Sequence, residues 1–469
     1  MNATDLAFAG IARQAEAIRA REVSPRELVD LCLERIERID PALNSFRVVL
    51  GERARAEAEQ AEGRAGAGDE RPLLGVPVAI KDNVDVAGEV STNGSAAYGE
   101  PAARDAEMVR RLREAGAVVI GKTHLPELAI FPVTESEAWG VTRNPWDTSL
   151  TPGGSSGGSG AAVAAGLVGA GLATDGGGSI RIPAACCGLV GLKTQRGRVT
   201  LHPFREHWHG LSVAGSVSRT VLDTALWLDA VAGPAPGDAD PAPPPDRPFA
   251  ESARTPPERL RIAVSLRTVV PAKVDDAVRR AVEETAGVLR SLGHDVRDHD
   301  PDYGGDIRPA FIPRWAHGIH EDVRATPHPG RLEPRTRRLG RLGRLMGERA
   351  VRWTRAKEAE RSAAINRVFD DHDVLLTPTM PFPPQAAGRF QGRGAAASLN
   401  MATPVVAFTT PWNLTGQPAM SVPAPTPAAG GVPLAVQLVG RVNDEATLIS
   451  LGAQLEAEVG WPERRPPTG

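Results

Sequence analysis

Leu73-Leu-Gly75-Val-Pro77-Val-Ala-Ile80 is a nearly unbroken apolar run, stopped abruptly by Lys81-Asp82-Asn83. It is too short for a typical buried helix and is punctuated by Gly75 and Pro77, so it reads as a buried strand ending at Lys81. Downstream, residues 105–115 have helical spacing, 117–120 read as the next strand, and 159–168 as a tightly packed helix. The alternation resumes with a strand at 260–265, a helix at 274–292 and a further strand entered at 294–296. Upstream, Ser24-Pro25-Arg26-Glu27 carries a capping-box pattern with Pro at the first helical position. Leu28, Leu31, Cys32, Ile36 and Ile39 follow on one face, which makes Cys32 a core residue. Residues 52–66, rich in Ala, Glu and Arg, read as a solvated helix. Strand and helix alternating in this way predict an α/β fold.

Composition narrows the function. The 469 residues carry 54 Lys and Arg against 57 Asp and Glu, a formal charge of −3, which offers no footing for a polyanionic partner. With 41% apolar and 24% charged residues the chain lies in the globular range and can bury a large core. Aromatics make up only 4%, whereas Gly and Pro number 49 and 41, so packing must rely on small and aliphatic side chains. Cys32, Cys186 and Cys187 form neither a disulfide framework nor a zinc spacing, and no basic and apolar leader opens the chain, so a cytoplasmic location is expected. Residues 148–174 lack charge but are too rich in Gly, Ser and Ala to span a membrane. Residues 233–257, dominated by Pro, Ala, Gly and Asp, read as a surface excursion, either a domain boundary or an insertion in one domain. Residues 331–361 hold ten Arg and one Lys against four Glu, with Leu339, Leu342, Leu345 and Met346 at helical spacing. A solvated amphipathic helix explains this better than a nucleic-acid patch, because Trp353 is its lone aromatic.

Two motifs mislead. Gly116-Ala-Val-Val-Ile-Gly121-Lys122-Thr123 matches the written P-loop, but its middle residues are already committed to a strand, leaving no phosphate cradle. Gly153-Gly154-Ser155-Ser156-Gly157 matches the serine elbow of α/β-hydrolases, yet residues 144–152 before it are turn formers rather than a strand. His202, His207 and His209 do not settle that reading, because triad partners can be distant in sequence.

Three stretches taken together carry more: Pro77-Val-Ala-Ile-Lys81-Asp82-Asn83, Pro152-Gly-Gly-Ser155-Ser156-Gly-Gly-Ser159 and Asp175-Gly-Gly-Gly-Ser179-Ile-Arg181-Ile-Pro183. With them the chain strongly resembles the amidase signature family. The likeness extends through Asn144-Pro145-Trp146, Cys187-Gly-Leu-Val-Gly-Leu-Lys193 and Asn413-Leu-Thr-Gly-Gln-Pro418-Ala-Met-Ser421-Val-Pro423, and so covers nearly the whole chain. It implies one amidase domain over residues 1–469, with a signature core at about 70–200 and a large mixed β-sheet covered by helices on both sides.

The resemblance also implies a catalytic triad of Ser179 as nucleophile, Ser155 in a cis peptide and Lys81. The two serines lie 24 residues apart, as the family's pattern has them. The chemistry is sound without the name. A serine hydroxyl needs a base, and a lysine serves if burial keeps it neutral, as the end of an apolar strand would. Gly176, Gly177 and Gly178 present no side chain to an approaching carbonyl, so their N–H groups, with that of Ser179, form the expected oxyanion hole. Gly176 stands where many members have a bulkier residue, which predicts a looser loop. Ser156 is expected to support Ser155, and Asp175 and Arg181 to pair structurally. Ile130, Phe131 and Ile182 are expected, by resemblance, to give the pocket an apolar wall.

The expected enzyme is a cofactor-free and metal-free amidohydrolase acting on a small neutral or apolar amide, without nucleic acid or membrane; a homodimer is left open. A glutaminase-like subunit of a tRNA-dependent amidotransferase, a serine esterase using Ser155 and a nucleotide binder using Lys122 are the alternatives, in that order.

Overall fold

A computed structural model describes residues 1–467. The apolar run ending at Lys81 forms β2 (Pro77–Lys81), preceded by β1 (Phe46–Val49) and followed by β3 (Val118–Thr123). Then come β4 (Glu135–Ser136), β5 (Gly140–Val141), β6 (Ala170–Asp175), β7 (Val190–Lys193) and β8 (Val213–Ser218). The remainder are β9 (Arg261–Val264), β10 (Asp295–Asp298), β11 (Val374–Pro378), β12 (Ala419–Pro423) and β13 (Ala435–Val439). Eleven form one sheet in the order β1-β3-β2-β6-β8-β7-β12-β13-β11-β9-β10, while β4 and β5 pair separately. β2 runs parallel to both β3 and β6, and β9 runs parallel to both β10 and β11, whereas β8, β7, β12 and β13 join antiparallel. The sheet is therefore mixed, and every pairing within its first six positions comes from residues 46–218.

Alternation along the strands divides the core. Val78 and Ile80 of β2 and Leu172 of β6 pack on one face with the helices Glu107–Glu114, Val221–Val231, Asp276–Ser291 and Glu445–Val459. Ala79 and Ala173 face the other way, against Pro25–Leu43, Gly157–Ala164 and Arg181–Cys187. The helix Pro25–Leu43 keeps the predicted capping box, with Ser24 Oγ accepting from Glu27 N and Glu27 accepting from Ser24 N. Among the described residues no helix is long and apolar enough to cross a membrane.

Two expectations change. The segment at 233–257 is not wholly a surface excursion: the helix Phe249–Arg254 lies within it, Phe249 is buried, and Asp229 accepts from the backbone N–H groups of Phe249 and Ala250. The basic segment is helical over Pro334–Ala356, but Leu345 faces solvent at 79% exposure. Its inward face instead brings Gly340 and Gly343 against Val323 and Ala316 of the helix Arg308–Ala325, a backbone approach that a larger side chain would block.

The three cysteines are buried and unpaired. Burial pushes the Cys32 thiol up to about 12 and raises Cys186 and Cys187 as well, so none offers a thiolate. An aromatic disulfide reagent should therefore titrate no thiol in the native protein and all three after unfolding; a native stoichiometry of one would show an accessible cysteine.

Candidate active site

β2 ends by delivering Lys81 beneath the sheet's surface, where its side chain is fully buried. Lys81 Nζ donates to Ser155 Oγ at 2.7 Å and to Thr174 Oγ1 at 2.9 Å, and among the described residues no carboxylate touches it. Desolvation is the main influence on this amine and drives its pKa down to about 7, although the more distant charge of Asp175 opposes the shift. A lysine in this state exchanges its proton at neutral pH.

Ser155 is also fully buried, at the end of a cis Gly154-Ser155 peptide. Only glycine fits before it, because a Cβ at 154 would lie 2.4 Å from the Val133 backbone. Thr134 Oγ1 pins this loop by donating to the Gly153 carbonyl at 2.9 Å and accepting from Gly157 N at 3.0 Å. Ser156 does not bond Ser155 as expected. Its hydroxyl reaches the Thr174 carbonyl at 3.3 Å and its N–H donates to the Ser179 carbonyl, because it sits at the entry of the helix Gly157–Ala164 and faces the neighbouring β6.

β6 ends in Thr174 and Asp175, and the glycine loop follows. Asp175 and Arg181 form a fully buried pair, Nη2 to Oδ1 at 2.9 Å and Nε to Oδ2 at 3.0 Å. Arg181 also donates to Gln437 and Asn413, and Asn413 Nδ2 donates to Asp175 Oδ1 at 2.8 Å. Burial would raise the Asp175 carboxyl, but Arg181, Asn413 and Lys193 outweigh it and hold the group well below the usual carboxylate range.

Asp175 has a second task. Its Oδ1 accepts from Gly178 N at 2.7 Å, so Gly178 has no N–H to give to an oxyanion. This corrects the expected set of three glycines. Gly178 must still be glycine, at φ 132° with Ile182 and Thr409 crowding the position of a Cβ. The N–H groups of Gly176, Gly177 and Ser179 make no hydrogen bond among the described residues. Nor is the loop slack at Gly176, where a Cβ would sit 2.7 Å from the Trp208 ring.

Ser155, Ser179, Thr174 and Gly176 share a cleft of ≈ 390 Å³. Its apolar walls come from Tyr98, Met108, Leu128, Leu201, Phe204 and Trp208, and Asp85, Glu100, His207 and Asp322 also line it, with no Lys or Arg among the described lining residues. The expected wall is different. Ile130 and Phe131 turn into the hydrophobic core, the latter 5.8 Å from the Phe390 ring, while their neighbours Leu128 and Ala129 reach the cleft. Ile182 packs beneath the glycine loop, 1% exposed, because it lies within the helix Arg181–Cys187 on the side facing Gly153 and Gly178.

Sequence reasoning also missed Thr174, Asn83, His207, Trp208 and Asp322. Thr174 immediately precedes a quoted stretch and Asn83 ends another, so adjacency was their signal; Asn83 Nδ2 donates to Thr174 Oγ1 at 3.2 Å. His207 Nε2 lies 3.1 Å from Asp322, and Trp208 Nε1 donates to the same carboxylate at 2.8 Å, a pairing across 115 residues that no local pattern announces. Burial disfavours the charged His207 ring, but Asp322 outweighs this and raises its pKa. Lys122, by contrast, is buried in an ion pair with Asp82 at 3.0 Å, which removes the nucleotide reading.

Known proteins resemble this arrangement throughout the chain. The family profile described as Amidase matches residues 27–449. The Mycobacterium tuberculosis protein named "Putative amidase AmiB2" is 50% identical over 468 residues, covering 99% of each chain. The 6-aminohexanoate-cyclic-dimer hydrolase of Paenarthrobacter ureafaciens is 35% identical over 97% of this chain and 95% of its own. Among solved structures, 6-aminohexanoate cyclic dimer hydrolase complexed with substrate superposes with a TM-score of 0.92 at 32% identity, covering 98% of this chain and 99% of the other. A bacterial aryl acylamidase of the amidase signature enzymes gives a TM-score of 0.85 at 25% identity, covering 96% and 98%.

Proposed function

The chain belongs to the amidase signature family, hydrolases of amide bonds, and from that premise we propose that it cleaves a neutral carboxamide by a Ser179–Ser155–Lys81 mechanism. The observation that carries the proposal is the fully buried Lys81 amine, 2.7 Å from Ser155 Oγ and with a pKa near 7. In its neutral form this amine takes the Ser155 proton while Ser155 takes that of Ser179, whose Oγ attacks the substrate carbonyl. The oxyanion is received by the N–H groups of Gly176, Gly177 and Ser179. The proton returns through Ser155 to the departing amine, the C–N bond breaks, and an acyl ester remains on Ser179. Water then attacks that ester by the same relay, releasing the acid. The Asp175–Arg181 pair holds the glycine loop in shape, and Ser156 ties it to the loop bearing Ser155.

The cleft supports a neutral acyl group rather than an acidic one. A carboxylate placed there would meet Asp85, Glu100 and Asp322 with no lysine or arginine among the described lining residues, and the His207 ring is already engaged by Asp322. Alkyl or aryl surface, by contrast, gains about 25 cal/mol per Å² buried against Leu128, Met108 and Trp208. Ammonia or amine release from a panel of aliphatic, aromatic and cyclic amides, each paired with a carboxylate-bearing analogue, tests both points. The neutral partner should turn over faster in each pair; a preference for the dicarboxylic monoamide would overturn the substrate reading, and no release from any amide would overturn the reaction.

A further inference from the structure

One cluster of ligating side chains has no part in the proposed chemistry. His209 lies in the short turn Trp208–Gly210, while His317 and Glu321 stand one turn apart on the helix Arg308–Ala325 and so share a face. His209 Nε2 is 3.0 Å from His317 Nδ1 and 3.3 Å from Glu321 Oε2, and His317 Nδ1 is 3.7 Å from Glu321 Oε1. One donor atom from each residue lies within 4.8 Å of the others, and none of the three residues lines the cleft.

We propose that His209, His317 and Glu321 form a binding site for a divalent transition-metal ion of the zinc class, clasping the turn to the helix. A four-coordinate ion with bonds of about 2.0–2.1 Å sets its ligands roughly 3.3 Å apart, a spacing close to that between the two rings and between His209 and Glu321 Oε2, while the full set with a single Glu321 oxygen lies within 4.8 Å. Two imidazoles and one carboxylate suit zinc, cobalt or nickel better than calcium or magnesium, which prefer an all-oxygen shell; a water would complete the set. His209 is held in a left-handed backbone conformation, φ 53°, uncommon outside glycine. Its carbonyl accepts from Arg314 Nε and Arg355 Nη1, both at 3.0 Å, so the two guanidiniums engage the backbone rather than the ring. Arg314 is also paired with Glu358 at 2.7 Å, which reduces the positive charge felt at the site. Trp208 and Asp322, the chain neighbours of His209 and Glu321, do line the cleft, so an ion here would fasten one of its walls.

The test is a titration of chelator-treated protein with zinc chloride by calorimetry, and with cobalt chloride by visible absorption. One zinc per chain is expected, with the intense visible bands of a low-coordinate cobalt ion. Glu321→Gln at the exposed helix surface, His317→Gln, and His209→Asn, which tolerates the left-handed backbone, should each weaken zinc binding at least tenfold. Their Tm values in chelator should match the parent, and the zinc-induced rise in Tm should vanish. No saturable binding to the parent at micromolar zinc would reduce the cluster to a hydrogen-bonded histidine pair and overturn the proposal. Unchanged affinity in all three variants would place the ion elsewhere and overturn it equally.

Discussion

Ser179→Ala should lower kcat/KM for a neutral amide by about four orders of magnitude or more while leaving the fold intact, because it removes the attacking atom and nothing that the fold uses. The Ser179 hydroxyl makes no hydrogen bond among the described residues, so its loss orphans no partner. The contact that joins the two serine loops is the Ser179 carbonyl receiving Ser156 N, which alanine retains. Thermal unfolding of the variant should coincide with that of the parent. A fluorophosphonate should add once to the parent, and peptide mapping should put the adduct on Ser179. An adduct on Ser155 instead would favour the serine-elbow reading. Appreciable amide turnover by the variant would remove Ser179 from the nucleophile's role.

The second large effect belongs to Lys81. Its pKa is drawn down to about 7, so the neutral, proton-accepting form grows as pH rises through that value. Below pH 7 kcat/KM should therefore climb about tenfold per pH unit, levelling off on the alkaline side. Lys81→Met keeps the apolar stem in place and removes the base; it should lose at least ~10³-fold in kcat/KM. Lys81→Arg should lose nearly as much, since a guanidinium does not surrender its proton in this range. Circular dichroism and Tm report whether each buried substitution folds. Substantial activity in folded Lys81→Arg, or a kcat/KM independent of pH across the neutral range, would reassign Lys81 as a fixed charge.

What the sequence revealed follows local chemistry. β2 was legible because a short apolar run ends in a charged residue, and the helix Pro25–Leu43 because a capping box and an apolar stripe agree. Lys81, Ser155 and Ser179 stood out through three glycine- and serine-rich stretches read together, although each alone resembled an ordinary turn or strand end. Hydrogen-bond allegiance was not legible. Gly178 looked equivalent to Gly176 and Gly177 until Asp175 claimed its N–H, and Ser156 looked like a partner for Ser155 until β6 claimed its hydroxyl. The cleft wall failed for another reason. Ile130 and Ile182 are apolar and near the site in sequence, yet burial satisfies them equally well in the core, and hydrophobicity alone does not say which side of a loop faces a cleft. His207 and Asp322 meet only because the helix Arg308–Ala325 crosses the turn beside the glycine loop.

The order of strands has a bearing on how the protein is made. The first six strands of the sheet all come from residues 46–218, and the strand that closes the outer edge of β7 is β12, Ala419–Pro423. At roughly 5–20 residues per second, a ribosome needs about 10–40 s to travel from one to the other. During that interval the nascent half-sheet has an unpaired edge, the kind of surface that recruits other chains. Asn413 and Gln437, which brace Arg181, are also among the last residues to emerge. Lys81, Ser155 and Ser179 are thus synthesised well before the side chains that brace Arg181 beside the glycine loop.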